Sequence, residues 1–296
     1  MLELLKTGRA LFSGSEKLST RPNAMTVDVE EYFTVQALDQ VVPREQWPAQ
    51  ALRADLQTRR LLDLFDAHAT KATFFVLGWV AERHPDLIRE IADRGHEVAA
   101  HSYWHRMIFE MTPDEFRADL VRVRDLLQNL IGRPVIGYRA PTYSLTRASL
   151  WAHDILAEEG FAYSSSVFPI VHDRYGIPDY SRFPTELGLS GGRTLWEFPL
   201  TTFRMAGRNL PVAGGGYLRL FPVRTIALAL AHVNERERQP TIVYLHPWEI
   251  DPDIPKYHQG WLKDTRGYIG IDGMLGKLDY LLSVLTFTTA RQVLGL

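Results

Sequence analysis

The chain has 296 residues, a formal net charge of −2, 23% charged and 46% hydrophobic residues, and no cysteine. That balance describes a globular protein with apolar material for a large core, and it gives no reason to invoke nucleic acid. Without cysteine there is no disulfide, thiolate nucleophile or thiolate ligand, so any metal must rest on His, Asp or Glu.

Residues 1–23 read as a leader. Their apolar runs are short and broken by Gly8 and Gly14, too short for a secretory segment or a membrane span, so a cytoplasmic protein without stable membrane insertion is expected. A first strand is predicted at 25–29, carrying Asp28 and leading into Glu30. Leucines at helical spacing predict a helix over 52–68, and the apolar run 71–77 a second strand. Pro85 opens a helix ending at Arg94, where Gly95 supplies a stop. A third strand at 97–100 runs into His101. Thr112-Pro113-Asp114-Glu115 is an N-cap, a first-turn proline and a capping-box glutamate, opening a helix that ends near Gly132.

A fourth strand at 135–138 delivers Arg139, and a helix over 146–159, closed by Gly160, precedes a fifth strand at 161–166. Residues 170–193, rich in Gly, Pro, Asp and Ser, read as a long functional loop over one end of the fold. A strand at 194–200, a helix over 221–235 and a last strand at 241–245 follow, the last ending at His246. The alternation predicts a parallel sheet wrapped by helices. Six or seven such units make an α/β barrel, whose active site forms at the carboxyl rim of the strands. No linker or repeat divides the chain. We expect a barrel over 24–250 and a C-terminal extension over 251–296, with an apolar helix at about 275–285, packed on it.

The chemistry-bearing residues fall at those strand ends. His101 and His105, four apart, would share one face of a helical turn and reach one cation. Ten histidines in 296 positions give roughly 0.3 such pairs by chance, so it is the position after a strand that singles this pair out. Asp28 and Glu30, two apart on a strand, point to one side and repel unless a cation or a proton intervenes. One of them completes a His-His-carboxylate metal face and the other is free as a base, with Glu31 a reserve ligand. Arg139 needs an anion, and Asp28 is the candidate. His246 is the natural proton donor on the far side. Trp248, Trp104 and Tyr143 are placed to stack on sugar rings. Glu197 and Glu249 are candidates to orient His246 or bind hydroxyls, and Gly214-Gly215-Gly216 reads as a tight turn or a close backbone approach.

Asp28, His101-x-x-x-His105, Arg139-Ala140-Pro141 and Leu245-His246-Pro247, in that order, resemble the NodB-homology polysaccharide deacetylases of the carbohydrate esterase class. Val27-Asp28-Val29-Glu30-Glu31-Tyr32-Phe33, Gly214-Gly215-Gly216-Tyr217 and Leu245-His246-Pro247-Trp248-Glu249 are most similar to a subgroup encoded with exopolysaccharide and exosortase loci, which carries an extra C-terminal segment. The resemblance implies a deformed (β/α)7-type barrel that removes N-acetyl groups from amino sugars in a polysaccharide or its precursor. It implies Asp28 as base, Arg139 orienting Asp28, His246 as acid, and Glu30, His101 and His105 as metal ligands. It also places Pro141, Thr142 and Tyr143, with a backbone N–H near Thr142, on the substrate side, beside Trp248, Glu249 and Glu197. Zinc is the first choice for the His-His-carboxylate set, and nickel and cobalt are compatible with it.

Two departures from the family pattern stand out. Glu30 occupies the place of an Asp, and relatives with Glu there include metal-independent hydrolases of ring amides such as allantoinase. Ser164 also stands where an Asp is expected. Two further functions therefore stay open: a ring-amide hydrolase and a non-catalytic carbohydrate-binding barrel.

Overall fold

Side chains on a strand alternate between two faces, and in this chain the even-numbered residues of the first strand face one interior. The computed structural model describes residues 17–172, 174–258 and 260–296; the first sixteen residues of the expected leader lie outside the described residues. The strands are β1 (Ser19–Val29), β2 (Thr73–Val76), β3 (Glu97–Ala100), β4 (Gly137–Tyr138), β5 (Tyr163–Ser164), β6 (Thr185–Gly188), β7 (Thr194–Glu197), β8 (Thr202–Met205), β9 (Arg208–Pro211), β10 (Ile242–Leu245) and β11 (Leu285–Thr288).

The order β10-β1-β2-β3-β4-β5-β7 gives seven parallel strands, the deformed (β/α)7-type barrel expected. Among the described residues no ladder joins β7 to β10. Two isolated bonds span that seam instead: the Ile242 N–H donates to Thr201 Oγ1 (2.7 Å) and the Tyr244 N–H to the Ala213 carbonyl (2.9 Å). A small core with Ala24, Phe75, Ala99, Tyr163 and Ile242 fills the interior. The larger core, with Val27, Phe74, Val98 and Val243, lies between strands and helices, as doubly covered parallel strands require. Gly137 faces the interior, where any Cβ would strike the Tyr163 ring.

The helices that cross between strands begin and end as their sequences direct. Helix Pro113–Ile131 carries the full capping box: the Glu115 N–H donates to Thr112 Oγ1 (3.3 Å) and the Thr112 N–H to Glu115 Oε2 (2.8 Å). It stops at Gly132 with φ 64°, a left-handed cap that glycine adopts without strain.

Several expectations are corrected. β1 starts at Ser19, ahead of the predicted strand, because β11 pairs with its first half. The C-terminal extension thus enters the sheet through β11 as well as packing on it through helix Met274–Val284. The 170–193 segment contains β6, antiparallel to β7, and β8–β9 form a hairpin that alternation alone did not disclose. No helix of the described residues is long and apolar enough to cross a membrane.

Candidate active site

Asp28 lies on β1 and Glu30 just past its end; His101, Arg139 and His246 are the residues that follow β3, β4 and β10. Parallel strands bring these ends to one rim. They surround a pocket of about 470 Å³ lined by Asp28, Glu30, His101, His105, Thr142, Tyr143 and His246, among others.

Glu30, His101 and His105 each direct a ligand atom to one point, all within 4.8 Å of one another. His105 Nε2 is 2.8 Å from Glu30 Oε2, and that oxygen is buried without a hydrogen-bond partner. An imidazole nitrogen and a carboxylate oxygen converging in a buried place fit a shared cation, and the extra methylene of Glu30 does not prevent the convergence. His101 Nδ1 lies 2.9 Å from the Arg139 carbonyl, which accepts from that nitrogen and leaves Nε2 for a metal. Burial, only partly offset by Asp28, lowers His101 to about 4, so it is neutral. Burial would raise Glu30, but His105 and His246 hold its carboxyl at about 2, ionised.

The histidine pair does not sit on a helical turn. Residues 101–105 form a bend with Ser102 at φ 62° and His105 at φ 57°, and this reversal swings the two rings to 5.5 Å between centroids. Backbone bonds pin the bend: Gly78 and Trp79 donate N–H groups to the Ser102 and Tyr103 carbonyls, and Asp119 accepts from the Tyr103 N–H at 3.0 Å.

Arg139 is fully buried and donates from Nη1 to Asp28 Oδ1 (2.6 Å) and Thr26 Oγ1 (2.8 Å), with Nη2 on Ser165 Oγ (3.0 Å) and the guanidinium over Phe75. The serine run where an Asp was expected acts as a hydroxyl relay. Ser166 Oγ accepts from the Ala140 N–H (2.9 Å) and from Ser164 Oγ (2.8 Å). The carboxylate beneath it is Glu197, which takes the Ser166 and Val167 N–H groups at 2.8 and 2.9 Å and pairs with His153. Glu197 is therefore a buried support of this loop and does not reach the pocket.

His246 stands opposite, Nε2 3.4 Å from Glu30 Oε1 and Nδ1 3.1 Å from Glu249 Oε2. Burial would lower its pKa, but the Glu30 and Glu249 carboxylates raise it to about 9 and keep it protonated at neutral pH. Glu249 is itself buried and held low by Arg219, whose Nε donates to Oε1 at 2.7 Å; it orients His246 and is not open to sugar hydroxyls. Arg219 had no signal in the sequence. Gly215 did: a Cβ there would land on the Glu249 carboxylate, so the glycine run is a close approach to a side chain.

Trp248 stacks behind His246 (5.1 Å, 15°) and lines a separate cavity of about 70 Å³ with Tyr257 and Tyr268. Pro141 is buried. Thr142 and Tyr143, at φ 54° and 51°, do line the pocket, and the Tyr143 N–H turns back to the Ala140 carbonyl. Trp104 borders a neighbouring cavity of about 340 Å³ that shares His105. Glu31 is no ligand: it accepts from the Arg53 and Ala54 N–H groups at the start of helix Ala54–Ala67, and burial raises it to about 7. The loop expected over one end of the fold does reach the pocket, through His172 and Tyr175; sequence reading missed Val35 to Ala37 on its outer wall, which have no periodic or motif signature.

Residues 54–159 match the family model of the polysaccharide deacetylases, and residues 165–295 match a domain of unknown function, DUF3473. The chain is 36% identical over 75 residues to a peptidoglycan-N-acetylglucosamine deacetylase of Bacillus cereus, covering 25% of this chain and 27% of that one. It is 32% identical over 108 residues to a peptidoglycan deacetylase of Helicobacter pylori, 36% of each. It is also 32% identical over 102 residues to a chitooligosaccharide deacetylase of Bradyrhizobium, 34% of this chain and 43% of the relative. Each match thus spans less than half of the relative's own length. Among solved structures, a Mycobacterium smegmatis chain assigned to the polysaccharide deacetylases superposes with TM-score 0.61 at 20% identity, over 94% of this chain and 92% of that one. The Puue allantoinase does so with TM-score 0.57 at 17% identity, over 95% and 93%. At these identities the two superpositions establish a shared fold.

Proposed function

We propose, from the match of residues 54–159 to the polysaccharide deacetylase family model and the likeness to deacetylases, that the chain is a metal-dependent hydrolase of the N-acetyl group of amino sugars in a polysaccharide or its precursor. The observation that carries this reading is the convergence of Glu30, His101 and His105 within 4.8 Å beside the Asp28–Arg139 pair. Those three residues would hold a divalent ion, with zinc the first choice for two imidazoles and a carboxylate. When bound, the ion supplies Lewis acidity to the acetamide carbonyl and lowers the pKa of water.

The remaining steps belong to the protein. Asp28, oriented by the Arg139 Nη1 bond to its Oδ1 (2.6 Å), takes a proton as water adds to the acetamide carbon. The tetrahedral adduct collapses with cleavage of the C–N bond, and the His246 imidazolium passes its proton to the departing nitrogen, releasing acetate and the free amine. The Glu30 and Glu249 carboxylates favour the protonated imidazole, and Glu249, held in turn by Arg219, aims it for that transfer.

A second reading is supported by Glu30 itself. Its carboxylate reaches both His105 and His246, so imidazoles can balance its charge without a cation, as a metal-independent ring-amide hydrolase would require. One experiment separates the two. Metal content is measured for wild type and His101→Ala purified without chelator, alongside turnover of an acetylated chito-oligosaccharide and of a ring amide. Near-stoichiometric metal in wild type, lost in the variant together with oligosaccharide turnover, is the expected result. Metal-free wild type that opens the ring amide would replace the proposal with the second reading, and no turnover of either would leave a carbohydrate-binding barrel.

A further inference from the structure

Beside the β7–β10 seam, the β8–β9 hairpin stands over helix Val223–Glu235 and leaves a groove of about 410 Å³. Phe203, Met205, Leu210, Phe221, Leu228 and Ala229 form most of its wall; no charged residue lines it, and polar side-chain atoms enter only from Thr225 and Tyr217. Met205, Leu220 and Phe221 are 44%, 50% and 45% exposed, so the apolar surface continues from the groove onto the outer face. A concavity of this size falls among ligand sites, and a contiguous exposed apolar patch marks an interaction surface.

The lining selects the chemistry of the occupant. A sugar, a nucleotide or a peptide backbone would leave its polar groups unpaired against this wall, a cost that a hydrocarbon chain does not meet. The edge selects the rest. Arg208 is the cross-strand partner of Met205, so both emerge on the groove face of the hairpin, and Arg208 is exposed. Arg224, also exposed, adjoins Thr225 in the first turn of the helix, the end that favours an anion. Tyr217 in the groove wall packs in the same core cluster as Tyr244, which lines the active-site pocket.

We propose that this groove seats the hydrocarbon chain of a lipid whose phosphate end is held by Arg208 and Arg224. The site is distinct from the pocket at the strand ends and adds a ligand to the protein whatever amide that pocket cleaves.

The test is calorimetric titration of the full chain with farnesyl phosphate, farnesol and inorganic phosphate. Farnesyl phosphate is expected to bind saturably, farnesol about fivefold more weakly for want of the arginine contacts, and inorganic phosphate not at all. Ala229→Trp fills the groove and Met205→Glu places a carboxylate in it; each is expected to weaken farnesyl phosphate about tenfold through lost chain burial. Met205 is exposed enough that its variant should fold and melt as wild type does. Absence of farnesyl phosphate binding, or unchanged binding in both variants, would overturn the proposal. So would a wild-type dimer that Met205→Glu turns into a monomer with no lipid affinity in either form. Equal binding of farnesol and farnesyl phosphate would overturn it as well, because the phosphate would then have no partner in the site.

Discussion

The segment matched by the polysaccharide deacetylases and the segment matched by DUF3473 build opposite walls of one pocket by different means. In the first, regular strand–helix units bring His101 and Arg139 to the rim as the residues that directly follow β3 and β4, and local backbone does the fine placement: two positive-φ residues turn His105 toward His101. In the second, the strand-to-helix rhythm fails between β7 and β10, and His246 is aimed by a chain of buried charges, Arg219 to Glu249 to His246. Asp28 and Glu30 precede both matched segments and stand between the two walls. A site can therefore be positioned by periodic architecture on one side and by a single ion-pair chain on the other, and the second kind of support is more fragile because one substitution breaks it.

The sharpest way to break that comparison is at the residue both walls share. Asp28→Asn should lower kcat by roughly 10²–10⁴ if Asp28 is the base, and it leaves the fully buried Arg139 without its anion, at a cost of about 3–5 kcal/mol. Urea unfolding and steady-state rates on the folded protein measure the two effects separately. A rate loss of only a few fold would remove Asp28 from the proton transfer and leave it a structural partner of Arg139.

A smaller effect should appear on the DUF3473 side alone. Gly215→Ala puts a methyl where the Glu249 carboxylate lies, so Glu249 must move and His246 loses its orientation. We expect kcat to fall about tenfold to a hundredfold, within the contribution of a positioned acid, with metal content unchanged because no ligand of the Glu30 group is touched. Loss of metal in this variant would mean that the two walls are coupled and that the division drawn above is wrong.

How much of this was legible follows the same division. Strand β3 was read to the residue, and the capped helix over 113–131 nearly so, because buried parallel strands and capping boxes carry their signals locally. The rim position of His101, Arg139 and His246 followed from those strands. Glu197 carries no sign in the sequence that it stays out of the pocket, because its role depends on Ser166 and Val167, thirty or more residues away in sequence. Arg219 and β11 were invisible for the same reason: a salt bridge to Glu249 and a pairing with β1 are made across the fold and leave no periodicity in the segments that make them. The helical-turn geometry expected for the histidine pair failed because spacing says nothing of φ, and here it is φ that brings the rings together.

The smallest effect tests the regular wall away from the pocket. His96 precedes β3 at the amino-terminal end of the barrel; its Nδ1 accepts the Ala72 N–H at 3.1 Å and its ring packs edge-on against Phe74. Burial, with Lys71 nearby, lowers it to about 4 from an ordinary 6.5. Below pH 6.5 the unfolded chain takes up a proton that the folded chain refuses until about 4. The contribution of His96 to stability is therefore complete above pH 6.5 and is lost as pH falls toward 4, with a slope approaching one proton. In urea unfolding across that window, His96→Gln should show a shallower fall than wild type while keeping wild-type kcat at neutral pH. An unchanged slope would place the acid sensitivity in the buried carboxylates around the pocket, and a changed kcat would show that the far end of β3 is not insulated from the histidine pair at its other end.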